Sequence, residues 1–228
     1  MRLPFGDRNE AGKELARRLR SEGVTPDVVL ALPRGGVPVG FEVARELGQP
    51  LDVFVVRKLG APGQPELAMG AIASSGAQVM NPGVVESLRV TPSELDGIVA
   101  RESAELIRRE RAYRGDAAPL AVEGRHVVVV DDGLATGASM KAAVLALRQL
   151  SAGRITVAVP VGAVESCEEV GELADNLICL ASPETFVAVG MWYRNFQPVP
   201  DAAVTELLRR ARDVRPLSGG APGDERQA

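Results

Sequence analysis

The chain is poor in several residue types on which enzymes often depend. His126 is its only histidine, Cys167 and Cys179 are its only cysteines, and lysine occurs only at positions 13, 58 and 141. A metal site or a nucleophilic triad built on one histidine needs partners at suitable spacing, and none accompanies His126. The cysteines do not form a CxxC pair, so we interpret them as free core thiols in a reducing compartment. If the chain is an enzyme, it must therefore work largely by positioning and electrostatics, or use carboxylates, lysine or arginine.

Long apolar runs and an excess of positive charge are also missing. No segment approaches the roughly 18 apolar residues that a membrane-spanning helix needs, and MRLPFGDRNE at the start lacks the apolar core of a signal peptide. The formal net charge of -4 provides no basic surface for nucleic acid and no polybasic membrane patch. We therefore expect a cytoplasmic protein that binds neither nucleic acid nor membranes.

Strand-like and helix-like segments alternate along the chain. Apolar runs rich in valine and isoleucine predict buried strands at residues 27–33, 51–60, 125–130, 154–162 and 176–182. Helical patterns lie between most of them, and the cap Thr91, Pro92 and the capping-box residue Glu94 predict a long helix up to residue 115. This alternation favours an α/β fold, with a mostly parallel twisted sheet flanked by helices. Polar loops follow three of the strands, and we expect residues 34–36, 57–58 and 131–139 to meet in one crevice.

The most informative stretch is VVVVDDGLATGAS, residues 127–139. An apolar strand ends in Asp131 and Asp132, and a loop of small residues then opens a helix. Backbone N–H groups, hydroxyls and the helix dipole at that point suit a phosphate. The two carboxylates would repel phosphate, but they suit a vicinal diol or a hydrated divalent cation. A phosphate at one end and a diol at the other describe a ribose 5-phosphate.

This stretch resembles the phosphoribosyl pyrophosphate (PRPP) motif of the type I phosphoribosyltransferases. The resemblance implies that Asp131 and Asp132 contact the ribose hydroxyls. It also implies a 5-phosphate loop made of Ala135, Thr136, Gly137, Ala138 and Ser139. PRGG, residues 33–36, resembles the pyrophosphate loop of that family and assigns this role to Arg34, Gly35 and Gly36.

Two further segments share the resemblance. Arg57 and Lys58 resemble the basic pair that precedes the mobile catalytic loop, here residues 59–70. FVAVGMWYRNF, residues 186–196, resembles the hood over the acceptor base, with Phe186, Trp192 and Tyr193 as acceptor-binding candidates. The implied catalytic residues are Arg57, Lys58, Asp131 and Asp132.

The resemblance implies a single phosphoribosyltransferase domain over residues 1–213. Within it we expect a helical insertion at about 87–116 and a hood at about 182–200, followed by a disordered tail at 214–228. The implied reaction transfers ribose 5-phosphate from PRPP to a nitrogenous acceptor, such as a nucleobase in salvage, with release of pyrophosphate. Mg²⁺ is the implied cofactor, held through PRPP with Asp131 and Asp132 as candidate ligands, and a homodimer is the implied assembly.

Some alternatives stay open at the level of sequence. Purine-salvage members carry a lysine before the hood phenylalanine and an acid within the hood, whereas this chain has Ala-Ser-Pro at 181–183 and Met-Trp-Tyr-Arg at 191–194. The acceptor is therefore not fixed, and a non-catalytic regulator that senses PRPP is the alternative function. A receiver domain fits less well because no lysine follows position 141, and a Walker A loop would need GK[ST].

Overall fold

The computed structural model describes residues 3–115, 117–119 and 121–213. Its helices are α1 (Arg8–Ser21), α2 (Gly36–Leu47), α3 (Pro82–Ser87), α4 (Pro92–Arg114), α5 (Ala138–Gln149), α6 (Val164–Leu173) and α7 (Asp201–Asp213). Its strands are β1 (Val28–Ala31), β2 (Leu51–Val53), β3 (Val56–Ala61), β4 (Gln64–Ala73), β5 (Gln78–Met80), β6 (His126–Val130), β7 (Arg154–Val161) and β8 (Asn176–Ala181). The expected tail at 214–228 lies outside the described residues. Within the described ranges, no helix is both long enough and apolar enough to cross a bilayer.

The main sheet contains five parallel strands in the order β2-β1-β6-β7-β8. Parallel neighbours need crossover connections, and α2, α5 and α6 supply those from β1 to β2, β6 to β7 and β7 to β8. The α/β fold with a mostly parallel sheet flanked by helices is therefore confirmed.

Helices cover both faces of the main sheet, which explains the continuous apolar runs. Alternate residues of a strand point to opposite faces, so Val29 and Val128 enter one apolar layer while Val28 and Val127 enter the other. The first layer is completed mainly by α1, α2 and α7, and the second by α5 and α6. A strand buried on both faces has no polar side, as the VVVV run of β6 shows.

Residues 51–60 do not form the single buried strand that the sequence predicts. The chain leaves the main sheet after β2 and begins a second, antiparallel sheet of three strands, β3-β4-β5. The transition is fixed by hydrogen bonds from the Phe54 amide to the Ala31 carbonyl and from the Val55 amide to the Ser74 hydroxyl, at 3.0 and 2.9 Å. An apolar run looks the same whether it serves one buried strand or two in succession, so periodicity could not detect this break.

The segment at 59–70, predicted as the mobile catalytic loop, forms most of the β3–β4 hairpin. Leu59 pairs with Gly70, and the register shifts on either side of Gly60. Gly63 turns the chain between the strands with a φ of 71°, a left-handed conformation that favours glycine. Glycine within this segment therefore serves a hairpin turn and a bulge, and the mobility of the segment stays a prediction.

The long helix α4 is confirmed, together with its capping box. The Thr91 hydroxyl accepts from the Glu94 amide at 3.3 Å, and the Glu94 carboxylate accepts from the Thr91 amide at 2.9 Å. At the other end, the buried Arg114 donates from Nε to the Asp52 carboxylate of β2 at 2.9 Å. The helix is thus joined to the edge of the main sheet at its C-terminal end.

Candidate active site

The PRGG loop and the loop after β6 meet at the carboxyl edge of the main sheet. Their strands β1 and β6 pair directly, so the segments that follow them are neighbours. A Cβ atom on Gly35 would lie 2.0 Å from Asp132 Oδ2, and one on Gly36 would lie 2.7 Å from the carbonyl oxygen of Val130. The two glycines therefore permit an approach between the loops that no larger residue allows. The peptide bond from Pro33 to Arg34 in this loop is cis.

Asp131 and Asp132 form a partly buried acidic pair. Asp131 Oδ1 accepts from the backbone N–H of Asp132 at 2.8 Å. Asp132 Oδ2 accepts from Arg8 Nε at 2.8 Å, and the two side chains are only 14% and 11% exposed. Burial raises the pKa of both carboxyls, and the charge of Asp132 raises the pKa of Asp131 further, while Arg8 opposes both rises. A group that brings a cation or hydroxyl donors to this pair would be bound favourably.

The loop after the acidic pair forms a small cavity of about 180 Å³ at the start of α5. The cavity is lined by all five residues that the resemblance assigns to the 5-phosphate. Asp131 of the acidic pair and Val189 of the hood segment also line it. Gly137 is the N-cap of α5 with a φ of 66°, in the left-handed region that favours glycine. The Ser166 hydroxyl fixes the loop from below by donating to the Ala135 carbonyl at 2.6 Å. The backbone amides and the helix dipole at the start of α5 make this cavity suitable for a phosphate.

The basic pair lies in β3, so it does not end a strand of the main sheet as expected. Arg57 faces α4, where Nη2 donates to Glu102 at 2.5 Å. Lys58 lines a cavity of about 540 Å³ together with Ala138 and Ser139 of the phosphate loop. A second cavity of about 840 Å³ lies between the β3–β4 turn and α4 and includes both cations. Residues 34–36 and 131–139 thus meet as expected. Residues 57–58 do not join them directly, and only Lys58 shares a cavity with Ala138 and Ser139.

The remaining candidates occupy varied positions. The half-exposed Arg34 guanidinium lies 3.7 Å from Asp201 at the start of α7. The Gly36 amide donates to the carbonyl of Leu32 at 3.0 Å, so this N–H is already engaged within the loop. Phe186 and Trp192 stack with ring centroids 6.4 Å apart. Both rings are half-buried and pack against the small core cluster around Phe5 and Tyr193.

Tyr193 supports the acidic pair from beneath. Its hydroxyl donates to the backbone carbonyl of Asp132 at 2.6 Å, and its ring contacts Phe5 and Phe196 with centroids 5.6 and 5.1 Å away. The residue is buried, and burial raises the pKa of its hydroxyl above the ordinary value. Its hydroxyl is therefore committed to the backbone of the loop, and an acceptor-binding role for Tyr193 stays a prediction.

The lone histidine and the two thiols lie apart from the acidic pair. His126 begins β6, at the opposite end of the strand from Asp131, and its Nε2 lies 2.9 Å from the Thr156 hydroxyl. Both cysteines are free, with Cys167 buried and Cys179 half-buried. The structure gives none of the three a contact with the acidic pair.

Arg8 and Glu102 are site residues that the sequence interpretation missed. Arg8 lies 124 positions before Asp132, and Glu102 lies 45 positions after Arg57, so neither contact has a local signal. One feature of Arg8 is unusual, because a cation at the first position of a helix opposes the helix dipole. A residue placed against its local preference can indicate a function elsewhere in the fold.

Comparison with known proteins agrees with this geometry. The family model for the phosphoribosyl transferase domain matches residues 7–191. A protein of Mycobacterium tuberculosis strain H37Rv, "Putative phosphoribosyl transferase Rv0571c", is 45% identical over 207 residues, which cover 91% of this chain and 47% of that protein. Its counterpart MT0597 in strain CDC 1551 has the same identity and coverage. The crystal structure of TT1426 from Thermus thermophilus shares 44% identity with a TM-score of 0.81, and covers 92% of this chain and 99% of that one.

This chain therefore belongs to the phosphoribosyl transferase family, and the resemblance seen in its sequence is confirmed. It spans about half the length of the curated relatives that it matches.

Proposed function

We propose that this protein transfers ribose 5-phosphate from PRPP to a nitrogenous acceptor and releases pyrophosphate. The observation that carries the proposal is the junction of the two loops at Asp132. There a phosphate cavity at the start of α5, two carboxylates and a glycine loop lie next to one another. Phosphate, ribose diol and diphosphate follow one another along PRPP in the same way.

The described contacts suggest how each part of PRPP would bind. The 5-phosphate would accept hydrogen bonds from the amides and hydroxyls of residues 135–139. Asp131 and Asp132 would accept from the ribose hydroxyls. Arg34 and the Gly35 amide would face the diphosphate, whereas Gly36, whose amide is engaged, would serve by allowing the loops to approach.

The proposed reaction needs charge stabilisation more than acid–base chemistry. The bond from the anomeric carbon to pyrophosphate breaks, and its electron pair leaves with the pyrophosphate. A lone pair on the acceptor nitrogen forms the new bond, and the proton of that nitrogen passes to the released pyrophosphate or to water. Positive charge develops on the sugar beside the acidic pair, and negative charge develops on the leaving group, which Lys58 can reach from the neighbouring cavity. Exclusion of water from the reacting carbon protects it from hydrolysis.

Mg²⁺ fits the donor groups at this site when it is carried by PRPP. Mg²⁺ keeps several waters and binds through one or two carboxylates plus substrate phosphates. Asp131 and Asp132 offer such carboxylates, and the described part of the chain contains no cluster of three metal-ligating side chains. Asp131 and Asp132 would help to hold an ion that arrives with PRPP, and that ion would supply positive charge to neutralise the leaving group.

The acceptor is proposed to be a planar nitrogenous base, in keeping with salvage chemistry in the cytoplasm. The stacked Phe186 and Trp192 rings offer an aromatic surface close to Val189, which itself lines the phosphate cavity. The proposal also includes the homodimer that is implied by the family resemblance.

Calorimetric titration of PRPP tests the proposed function directly. With Mg²⁺ present we expect one-site binding with micromolar affinity, which EDTA should weaken strongly. Pyrophosphate release in the presence of candidate bases would then identify the acceptor. Absence of binding heat at several temperatures, with and without candidate bases, would refute the proposal.

Asp132→Asn is expected to lower turnover by roughly 30-fold, or about 2 kcal/mol, because one charge-assisted contact to the ribose is lost. Steady-state release of pyrophosphate measures the effect. Asp96→Asn is the matched control, since Asp96 is an exposed acid on α4. Equal turnover in the Asp132 and Asp96 variants would contradict the role of the acidic pair.

A PRPP-sensing regulator is the second candidate, and the pairing of Arg57 with Glu102 favours it, because a cation held by α4 is withdrawn from the leaving group. Lys58→Ala separates the two. If the protein is an enzyme, the variant should lose about tenfold or more in kcat, because Lys58 would stabilise the departing diphosphate. A regulator would show no turnover in either form, and it would still bind PRPP. Lys13→Ala on the exposed face of α1 provides the control.

A further inference from the structure

Arg8 brings a positive charge from the start of α1 into the acidic pair. Its Nε donates to Asp132 Oδ2 at 2.8 Å, and its side chain is 11% exposed. We infer that Arg8 is a positioning residue that fixes the Asp132 carboxylate in the orientation required to bind the ribose of PRPP. This inference rests on the proposed function, and it assigns a role to a segment that lies outside the PRPP motif.

Three groups outside the acidic pair hold the Arg8 guanidinium. Its Cζ lies 3.8 Å from the centre of the Phe196 ring and 6.0 Å from that of Tyr193. Its Nη1 donates to the backbone carbonyl of Gln197 at 3.0 Å. Because the guanidinium donors form a rigid planar fork, fixing one edge and one face also fixes the direction of Nε.

The backbone that carries Arg8 is itself tied to the hood segment. The Phe5 amide donates to the Trp192 carbonyl at 2.9 Å, and the Arg194 amide donates to the Phe5 carbonyl at 2.8 Å. The Asn195 amide then donates to the Gly6 carbonyl at 3.0 Å. Residues 5–8 and 192–197 are thus joined by hydrogen bonds into one unit. Arg8 is the residue through which this unit contacts Asp132.

Asp132 is therefore fixed from two sides. Its Oδ2 atom accepts from Arg8 and lies against Gly35, so the carboxylate has little freedom to rotate. Its second oxygen can then meet a ribose hydroxyl without a loss of side-chain entropy on binding. The positive charge of Arg8 also offsets the repulsion between two neighbouring carboxylates, which would otherwise turn them apart.

Calorimetric titration of PRPP with Mg²⁺ into three variants tests the inference. Arg8→Gln is expected to raise the Kd about tenfold, since the carboxylate loses its charged partner. Arg8→Lys should recover little of the lost affinity for PRPP, because a single ammonium group cannot donate to both Asp132 and Gln197 as the planar guanidinium does. Arg17→Gln on the same helix is the control and should bind as the wild type, since Arg17 is 62% exposed and pairs only with Glu14 among the described residues. Recovery of wild-type affinity in Arg8→Lys would overturn the positioning role, because charge alone would then suffice.

A double-mutant cycle distinguishes positioning from a general effect on folding. Arg8→Gln should raise the Kd much less in the Asp132→Asn background than in the wild type, because the group that it positions has already been altered. Losses that simply add would overturn the inference. If Arg8→Gln does not fold, Phe196→Leu keeps the arginine but removes its aromatic support, and should raise the Kd about threefold. An unchanged Kd in that variant would equally count against the role.

The outcomes separate this inference from the proposed function. Failure of the wild-type protein to bind PRPP would refute both. Wild-type binding that is unchanged by Arg8→Gln would refute only the role of Arg8.

Discussion

Gly35→Ala is expected to weaken PRPP binding by about 100-fold or more, which corresponds to about 2.7 kcal/mol. The new Cβ would lie 2.0 Å from Asp132 Oδ2 and 2.6 Å from Asp132 Cγ. The carboxylate is held by Arg8 and can clear the new Cβ only by breaking that contact and moving away from the ribose, so PRPP binding should suffer more than folding. Titration of PRPP with Mg²⁺ measures the loss, and thermal unfolding followed by circular dichroism shows that the fold remains.

The neighbouring glycine provides a contrast that sharpens this test. A Cβ on Gly36 would meet backbone, with the Val130 carbonyl oxygen at 2.7 Å and the Asp131 Cα at 2.9 Å. Since backbone cannot rotate away, Gly36→Ala should lower stability as well as binding. Gly83→Ala is the neutral control, because its nearest neighbour would be Asn81 Oδ1 at an ordinary 3.7 Å. If Gly35→Ala bound PRPP as well as Gly83→Ala does, the Asp132 carboxylate would not be the ribose contact.

Those parts of the fold that depend on local pattern were predictable from sequence. The capping box at Thr91, the Asp7 cap of α1 and the left-handed Gly48 that ends α2 each lie within a few residues of the element that they define. The buried parallel strands were predictable for the same reason, because a strand covered on both faces is apolar throughout. The cavity that residues 135–139 line was also foreseeable, since these residues are contiguous and open a helix.

Features that depend on contacts between distant segments were not predictable. The step from β2 to β3 is set by hydrogen bonds to Ala31 and Ser74, which no pattern around residue 54 reveals. The environment of Asp132 could not be predicted for the same reason. It combines Arg8 from α1, Gly35 from the PRGG loop and Tyr193 from the hood segment. The aromatic cluster indicated a hood, but only the structure shows that the Tyr193 hydroxyl donates to the Asp132 carbonyl.

Arg114→Met is expected to destabilise the protein by about 3–5 kcal/mol, since it removes the charged partner of a buried carboxylate. The side chains of Arg114 and Asp52 are only 5% and 6% exposed. Arg114 Nε lies 2.9 Å from both carboxylate oxygens, and its Nη2 donates to the Val53 carbonyl at 2.6 Å. A loss of this size should lower the midpoint of thermal unfolding by about 6–20 °C in a chain of this length.

Two further variants decide whether the buried pair itself causes the effect. Asp52→Leu combined with Arg114→Met should recover only part of the lost stability, because apolar residues can replace the buried ion pair but leave Glu110, whose carboxylate accepts from Arg114 Nη1 at 2.8 Å, without that partner. Arg109→Met on the same helix should cost at most about 1 kcal/mol, as expected for a partly exposed pair with Glu105. The pair holds the C-terminal end of α4 against β2, and the same helix carries Glu102, which engages Arg57. An unchanged midpoint in Arg114→Met would mean that α4 is held by its apolar contacts and by Tyr113, whose hydroxyl donates to Asp201 at 2.9 Å. The position of Arg57 would then depend on those contacts and not on the buried charges.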